Sequence, residues 1–560
     1  MFFSGSAPRR VPCGQSWVVT VFFVLATGGC SPSNMEPDQD DPIPDFAGVR
    51  VEVLNEPLHD SEAFSFEEQP SLDHFTLLGW DSEDRWLDDF AGGFALLDCN
   101  SDGAVDIFLT GAAAPNSLML GDGTGNFTKK EDAGLEFPSG ISASASTADI
   151  NNDGLPDILV LNQLSPNQML VNLGDCVFED RATELGLEDL NRSVHASWID
   201  LNTDGWLDLY VTNYASAMPV DSELPPPGAT DRLFLSDGAG GFIDASTDLP
   251  ADTVAAYGMQ TAFLDYDEDG DFDFFQTNDR GMLFIPNRAY RNDGFNSEGK
   301  LTLVDVTEEI GFTLRPDGMG LAIADIDNDG DPDILEIGNF EALFVFDSGL
   351  FFEAAAALGL PAPNLSTASW GGSFFDPDAD GDMDILFVES RFFDDGLEAL
   401  ESYKGPVYFF VNRLNEGRGF EHQALEGGLG STDVWRSSAV ADFNGDGFED
   451  IIVNPVEASP RIFLANPPDN AGVVQVQLDG RVSNLEGRGA KVSLQVGDVV
   501  TTRWFGAADP YSTGSSVPMS FAMQDLETAG PLRIEWPSGL IQTVPMVERQ
   551  TRVTVTEPEE

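Results

Sequence analysis

The chain has 560 residues, with 96 acidic against 27 basic, for a formal net charge of -69. Such a balance repels a phosphate backbone and argues against nucleic acid as a partner. A hydrophobic fraction of 42% with 10% aromatics is nevertheless enough for a core, which excludes a wholly disordered acidic chain.

The N-terminus carries Arg9 and Arg10, an apolar run over 17–26, and then Thr27-Gly28-Gly29-Cys30. This reads as an export signal over 1–30, too short for a membrane span. Gly29-Cys30 resembles the cleavage point of a bacterial lipoprotein signal, which makes Cys30 the expected lipidated residue; Thr27 departs from that pattern, which prefers Leu. The expected location is therefore exported, lipid-anchored at the bacterial surface or outer membrane, and otherwise secreted. Residues 31–47 are polar and proline-rich, as a flexible tether is.

An acidic loop then recurs seven times. Its copies begin at Asp98, Asp149, Asp200, Asp265, Asp325, Asp376 and Asp442, spaced 51, 51, 65, 60, 51 and 66 residues apart. Positions 1, 3, 5 and 9 carry oxygen side chains, and position 6 is glycine. The candidate metal ligands are Asp98, Asn100, Asp102 and Asp106; Asp149, Asn151, Asp153 and Asp157; Asp200, Asn202, Asp204 and Asp208; Asp265, Asp267, Asp269 and Asp273; Asp325, Asp327, Asp329 and Asp333; Asp376, Asp378, Asp380 and Asp384; and Asp442, Asn444, Asp446 and Asp450. Carboxylates this crowded call for a hard divalent cation, and Ca²⁺ accepts six to eight oxygens in a flexible shell. Up to seven structural Ca²⁺ ions are expected. The fifth copy resembles an EF-hand and even has Glu336 at position 12, but its flanks lack helical length and period. The loop is expected to join two strands.

Each unit holds four short strands, in the second unit over 141–148, 157–162, 167–172 and 177–180, which is one propeller blade. Several fourth strands place an apolar residue eight positions before glycine: Phe178 to Gly186, Leu303 to Gly311, Phe351 to Gly359 and Phe420 to Gly428. The expected fold class is all-β: a seven-bladed propeller over 48–467, its last blade completed by a strand from about 48–80 because an open ring leaves edges. A small antiparallel β domain over 468–560 has strands at 473–478, 491–496, 499–504, 532–536 and 552–556.

The repeat resembles the FG-GAP/VCBS repeat, the Ca²⁺-loop blade of integrin α-subunit propellers and many exported bacterial proteins. By that resemblance the metal loops join first and second strands on one face. Cys99, at position 2 of the first loop, and Cys176, in a turn of the next blade, then fall on the same face, which leaves two readings open, a disulfide between them or two free thiols. Ser483-Asn484-Leu485-Glu486-Gly487-Arg488-Gly489-Ala490 and Trp536-Pro537-Ser538-Gly539 resemble the UnbV/ASPIC domain that follows this propeller in the cartilage acidic protein family. A segment usually reading Phe-Gly-Leu-Gly there is Phe521-Ala522-Met523-Gln524 here.

Insertions at about 214–230, 278–288 and 390–406 carry Tyr214, Phe284, Phe392, Phe393 and Tyr403, residues suited to a recognition surface opposite the metal loops. No catalytic constellation stands out. His59, His74, His195 and His422 are scattered, and the glycines of 121–125 belong to a hairpin turn. The loops look saturated by protein oxygens, whereas catalytic metals keep an open position. The expected function is a calcium-binding surface or extracellular binding and adhesion module, not an enzyme, with an extracellular protein or glycan as partner. Contact with membrane is expected only through a lipid on Cys30. The alternative is a hydrolase or lyase, acting on polysaccharide, sited in the propeller funnel.

Overall fold

A computed structural model describes residues 48–559 apart from 56–63, 73–91, 216–227, 392–401 and a number of short breaks. The expected signal and tether lie outside the described residues. Seven antiparallel sheets follow one another along the chain. The second, Ser142–Ala148, Asp157–Asn162, Gln168–Asn172 and Phe178–Asp180, is a plain meander. Its first strand is Ser, Ala and Thr throughout and wholly buried. First strands pack against first strands of neighbouring blades, and in this blade small side chains fill the approach, whereas later first strands also bury Trp198, Phe263 and Trp370.

The apolar-to-glycine signature is an inter-blade clasp. The N–H groups of Phe351 and Phe420 donate to the carbonyls of Ile310 and Leu358 in the preceding blade, at 2.7 and 2.6 Å. The glycines beside those carbonyls, Gly311 and Gly359, have φ of +88° and +98°, and a Cβ on either would lie 2.4 or 2.5 Å from the Phe carbonyl oxygen. Glycine is required twice over, by backbone conformation and by space.

Ser65–Glu68 supplies the fourth strand of the last blade, pairing with Arg461–Asn466, as the sequence led us to expect. That blade packs on the first one. Phe94, Leu96 and Ile107 share a buried cluster with Ala439, Phe443, Ile452 and Leu464, and Gly125 N–H donates to Phe443 O at 3.0 Å.

Val49–Val53 departs from the expected boundary. Although it lies within 48–467, it pairs with Thr551–Thr556, in a sheet that also holds Val473–Asp479 and Met519–Ala522. Val49 and Val51 pack on the core of the C-terminal domain, which explains the choice. A second sheet of that domain contains Val499–Trp504, Lys491–Val496, Leu532–Glu535 and Ile541–Val544.

The C-terminal domain also sends a strand into the propeller. Thr513–Ser515 runs parallel to Phe94–Leu97, inside the first blade's innermost strand. We call it the axial strand. Around it Phe263 N–H donates to Ala507 O at 2.8 Å, and Gln260 Nε2 to Asp509 O at 2.6 Å. Arg488, from the Gly487-Arg488-Gly489 motif, is buried and donates to Thr147 O and Ser515 O, each at 2.8 Å.

Cys99 and Cys176 form a disulfide that ties the first acidic loop to the second blade across 77 residues of chain. In the chain-entropy limit such a loop is worth about 4 kcal/mol. The double variant Cys99→Ser/Cys176→Ser is expected to melt several degrees below the wild type by calorimetry. Thiol titration without reductant should find neither cysteine reactive.

Candidate metal centre

All seven acidic loops fold alike. Position 1 accepts the N–H of position 5 on Oδ1 and that of the position-6 glycine on Oδ2; in the fifth loop Asp329 and Gly330 both donate to Asp325 at 3.0 Å. The same pair of bonds recurs at Asp98, Asp149, Asp200, Asp265, Asp376 and Asp442. Position 5 then accepts the N–H of position 7, as Asp329 does from Asp331 at 2.9 Å. The position-6 glycines have φ near +90°, Gly330 at +91°. In that left-handed turn the oxygens of positions 1, 3 and 5 converge.

Where all three are aspartates, the convergence is tight. Oxygens of Asp265, Asp267 and Asp269, of Asp325, Asp327 and Asp329, and of Asp376, Asp378 and Asp380 lie within 4.8 Å of one another in each set. In the other four loops Asn100, Asn151, Asn202 and Asn444 take position 3 and accept the position-5 N–H through Oδ1. They hold the same place in the turn.

Position 9 has a second duty that its spacing does not reveal. It opens the second strand, buried, and accepts two backbone N–H groups, one from position 2 of its own loop and one from the third strand. Asp333 takes Ile326 on Oδ2 at 3.0 Å and Phe346 on Oδ1 at 2.9 Å. Asp106, Asp157, Asp208, Asp273 and Asp450 do the same. Each oxygen keeps another lone pair that a cation could use.

The sixth loop breaks this pattern in an informative way. Its position 2 is Pro377, which has no N–H, so Asp384 accepts only from Asn412 and its Oδ2 has no hydrogen-bond partner among the described residues. Asp378 Oδ1 is likewise buried and unpartnered. Two orphaned carboxylate oxygens in one buried loop fit a bound cation, because burying them unpaired is costly.

Burial raises these carboxyls. Asp325 is pushed up to about 7 and Asp333 to about 8, desolvation outweighing their backbone hydrogen bonds. Asp376 and Asp384 rise well above the carboxylate range, from burial and then from neighbouring aspartates. Unneutralised, such groups take up protons; a divalent ion would hold them ionised.

Glu336, at the EF-hand's position 12, does not turn toward the loop. It sits in the strand Asp333–Gly338, fully buried, and accepts from Asn287 Nδ2 of the neighbouring blade. The strand period rather than a helix sets its direction, so the EF-hand likeness ends at position 9.

Two of the five insertion aromatics, Tyr214 and Tyr403, are not at the surface expected of them. Tyr214 is 4% exposed, its hydroxyl donating to Asp279 Oδ2 at 2.7 Å, with the Arg192 guanidinium over its ring. Tyr403 is buried in the cluster joining the first and last blades. Both are held by residues distant in sequence, which local composition does not show. Phe284 is exposed at 48%; Phe392 and Phe393 lie outside the described residues.

Sequence reasoning also missed Asn172 and Asn412, at the ends of third strands. Their amides donate to the position-2 carbonyls of the preceding blade's loop, Cys99 O and Ile326 O, at 2.9 and 2.8 Å. Asparagine at the last place of a third strand is the available signal.

Family models match these same segments. FG-GAP-like repeats match at 98–160, 149–211 and 265–336, an FG-GAP repeat at 434–476, and the ASPIC and UnbV domain at 480–560. The chain is an FG-GAP repeat protein with a C-terminal ASPIC and UnbV domain. It is 23% identical over 493 residues to mouse Cartilage acidic protein 1, covering 80% of this chain and 70% of that protein. Two crystal structures of BBS1N in complex with ARL6DN, soaked with mercury and with lead, match at 9% and 10% identity with TM-scores of 0.37 and 0.39. They cover 67% and 71% of this chain and 93% and 95% of theirs, and at those scores they carry no argument.

Glu336 offers a test of the buried electrostatics. Burial raises it from 4.5 to about 8, so between those values the folded protein holds a proton that the unfolded chain has released. Stability must therefore fall as pH rises through this window, by at most about 1.4 kcal/mol per pH unit, and level off above it. Glu336→Gln removes this dependence: in saturating Ca²⁺, its melting temperature relative to wild type should rise from pH 5 to pH 8.

Proposed function

We propose that this is an exported calcium-binding propeller that acts as an extracellular binding or adhesion module, taking a protein or glycan as partner. The observation that carries the calcium reading is the sixth loop, where Pro377 leaves Asp384 Oδ2 orphaned beside the unpartnered Asp378 Oδ1. Supporting it, seven loops share one hydrogen-bond plan, and three of them gather three carboxylates each. Calcium there would hold the hairpins between first and second strands, a structural service to a display scaffold. The FG-GAP repeats and the likeness to a cartilage acidic protein support an extracellular setting. Attachment through a lipid on Cys30 belongs to the same proposal, and intact mass of the mature N-terminus tests it.

The axial strand weighs against the funnel-sited hydrolase or lyase. Thr513–Ser515 lies along the innermost strand of the first blade, where such a substrate would have to enter. On a glycan array and in a pulldown with millimolar Ca²⁺, the mature protein should retain a partner without consuming it. Turnover on a hydrolase panel, abolished by changing one funnel carboxylate, would reverse that conclusion.

Chelation gives the direct measure of the metal. A ligand that binds only the folded loops stabilises by about 2.7 kcal/mol per site at a hundredfold excess over its Kd. EDTA should therefore lower the melting temperature markedly from its value in millimolar Ca²⁺, and identical melting curves would sink the calcium assignment.

A further inference from the structure

The seven loops differ in what covers them. At position 5, Asp102, Asp153, Asp204, Asp269 and Asp329 are exposed, Asp380 is half-buried, and Asp446 is 1% exposed. The seventh loop is enclosed throughout, with Asp442, Asn444 and Asp450 buried as well.

The covering comes from the C-terminal domain and the strand that joins it. Gln524 Nε2 donates to Asp380 O at 2.9 Å, Gln475 Nε2 to Asp442 Oδ2 at 3.0 Å, and Asn55 Nδ2 to Asn444 O at 2.7 Å. Ser520 Oγ donates to Gly447 O at 2.7 Å, and Gln550 Nε2 to Asp446 O. Between these polar ties lies an apolar seal: Ala379 of the sixth loop and Phe448 of the seventh pack with Leu54, Val473 and Ala522. Arg503 adds an ion pair to Glu449 at 2.7 Å, and Glu449 in turn accepts the Asp376 N–H.

We propose that the sixth and seventh loops are locked cation sites. An ion can enter or leave them only when the C-terminal domain lifts, while the first five loops exchange freely at the surface. This rests on the calcium reading above. By linkage the dependence runs both ways: ions in these two loops hold the C-terminal domain down, and with it the axial strand. The amides of Gln524, Asn55 and Gln550 bond to loop carbonyls, and that of Gln475 to the Asp442 carboxylate, groups whose positions the folded turn fixes, so an ion that stabilises the turn stabilises the seat.

The test uses the full mature chain loaded with Ca²⁺ and mixed rapidly with excess fluorescent chelator. Release should be biphasic, with a minor phase slower by at least about tenfold, the factor set by an opening cost of 1.4 kcal/mol. Asp380→Asn should diminish only the slow phase, and Asp269→Asn only the fast one. Gln524→Ala, which leaves every candidate ligand in place, should keep the amount of bound Ca²⁺ and accelerate the slow phase. Amide hydrogen exchange in 507–516 should quicken once that phase is complete. Release in a single phase, or an Asp380→Asn loss drawn from the fast phase, overturns the lock. Absence of bound Ca²⁺ by elemental analysis before mixing would instead overturn the calcium reading on which it rests.

Discussion

Six of the seven aspartates that open a second strand accept backbone N–H groups from two directions, Asp384 of the sixth loop from one, and the blades hang on these bonds. One donor is the loop that turns from first strand to second, and the other is the third strand. A side chain thus does at each hairpin what the ladder does elsewhere, holding three strands in register where the sheet would otherwise fray. The loop's own oxygens converge because this anchor fixes the far end of the turn. Replacing it would free the turn and the third strand together, which is why glycine, aspartate and strand start recur as a unit.

The same plan relates neighbours. Asn172 and Asn412 reach back to the loop of the preceding blade, and the Cys99–Cys176 disulfide bridges one such joint covalently. On the outer strands, Phe351 and Phe420 lie against Gly311 and Gly359. Packed first strands, amide ties beside the loops and glycine clasps at the outer edge recur between neighbouring blades. A blade therefore gains its rigidity from both neighbours, as in other repeat folds.

What the sequence made legible was what is local. Lys491–Val496 and Val499–Trp504 were readable residue by residue because alternation and a tight turn determine them. The acidic loops were readable as turns because their spacing encodes the convergence of their oxygens. Val49–Val53 and the axial strand were not, since their partners stand roughly 500 and 420 positions away and nothing local marks the pairing. Tyr214 misled for a related reason: its aromatic character suggested a surface, while Asp279 of the next blade and Arg192 of the adjacent strand claim it for the interior. Position 9 was read as a ligand alone, because a hydrogen bond from a third strand leaves no mark on loop spacing.

The strand pairings also set an order of events in biosynthesis. Ser65–Glu68 emerges from the ribosome before any other strand of the propeller, yet its partner, Arg461–Asn466, emerges only after six blades have been made. Val49–Val53 waits longer still, for Thr551–Thr556. Both early segments must remain unpaired through nearly the whole of synthesis, and neither can dock on a half-made product. A truncated polypeptide consequently presents uncovered apolar blade faces at both ends of its stack, the faces that the first and last blades bury against each other in the finished chain.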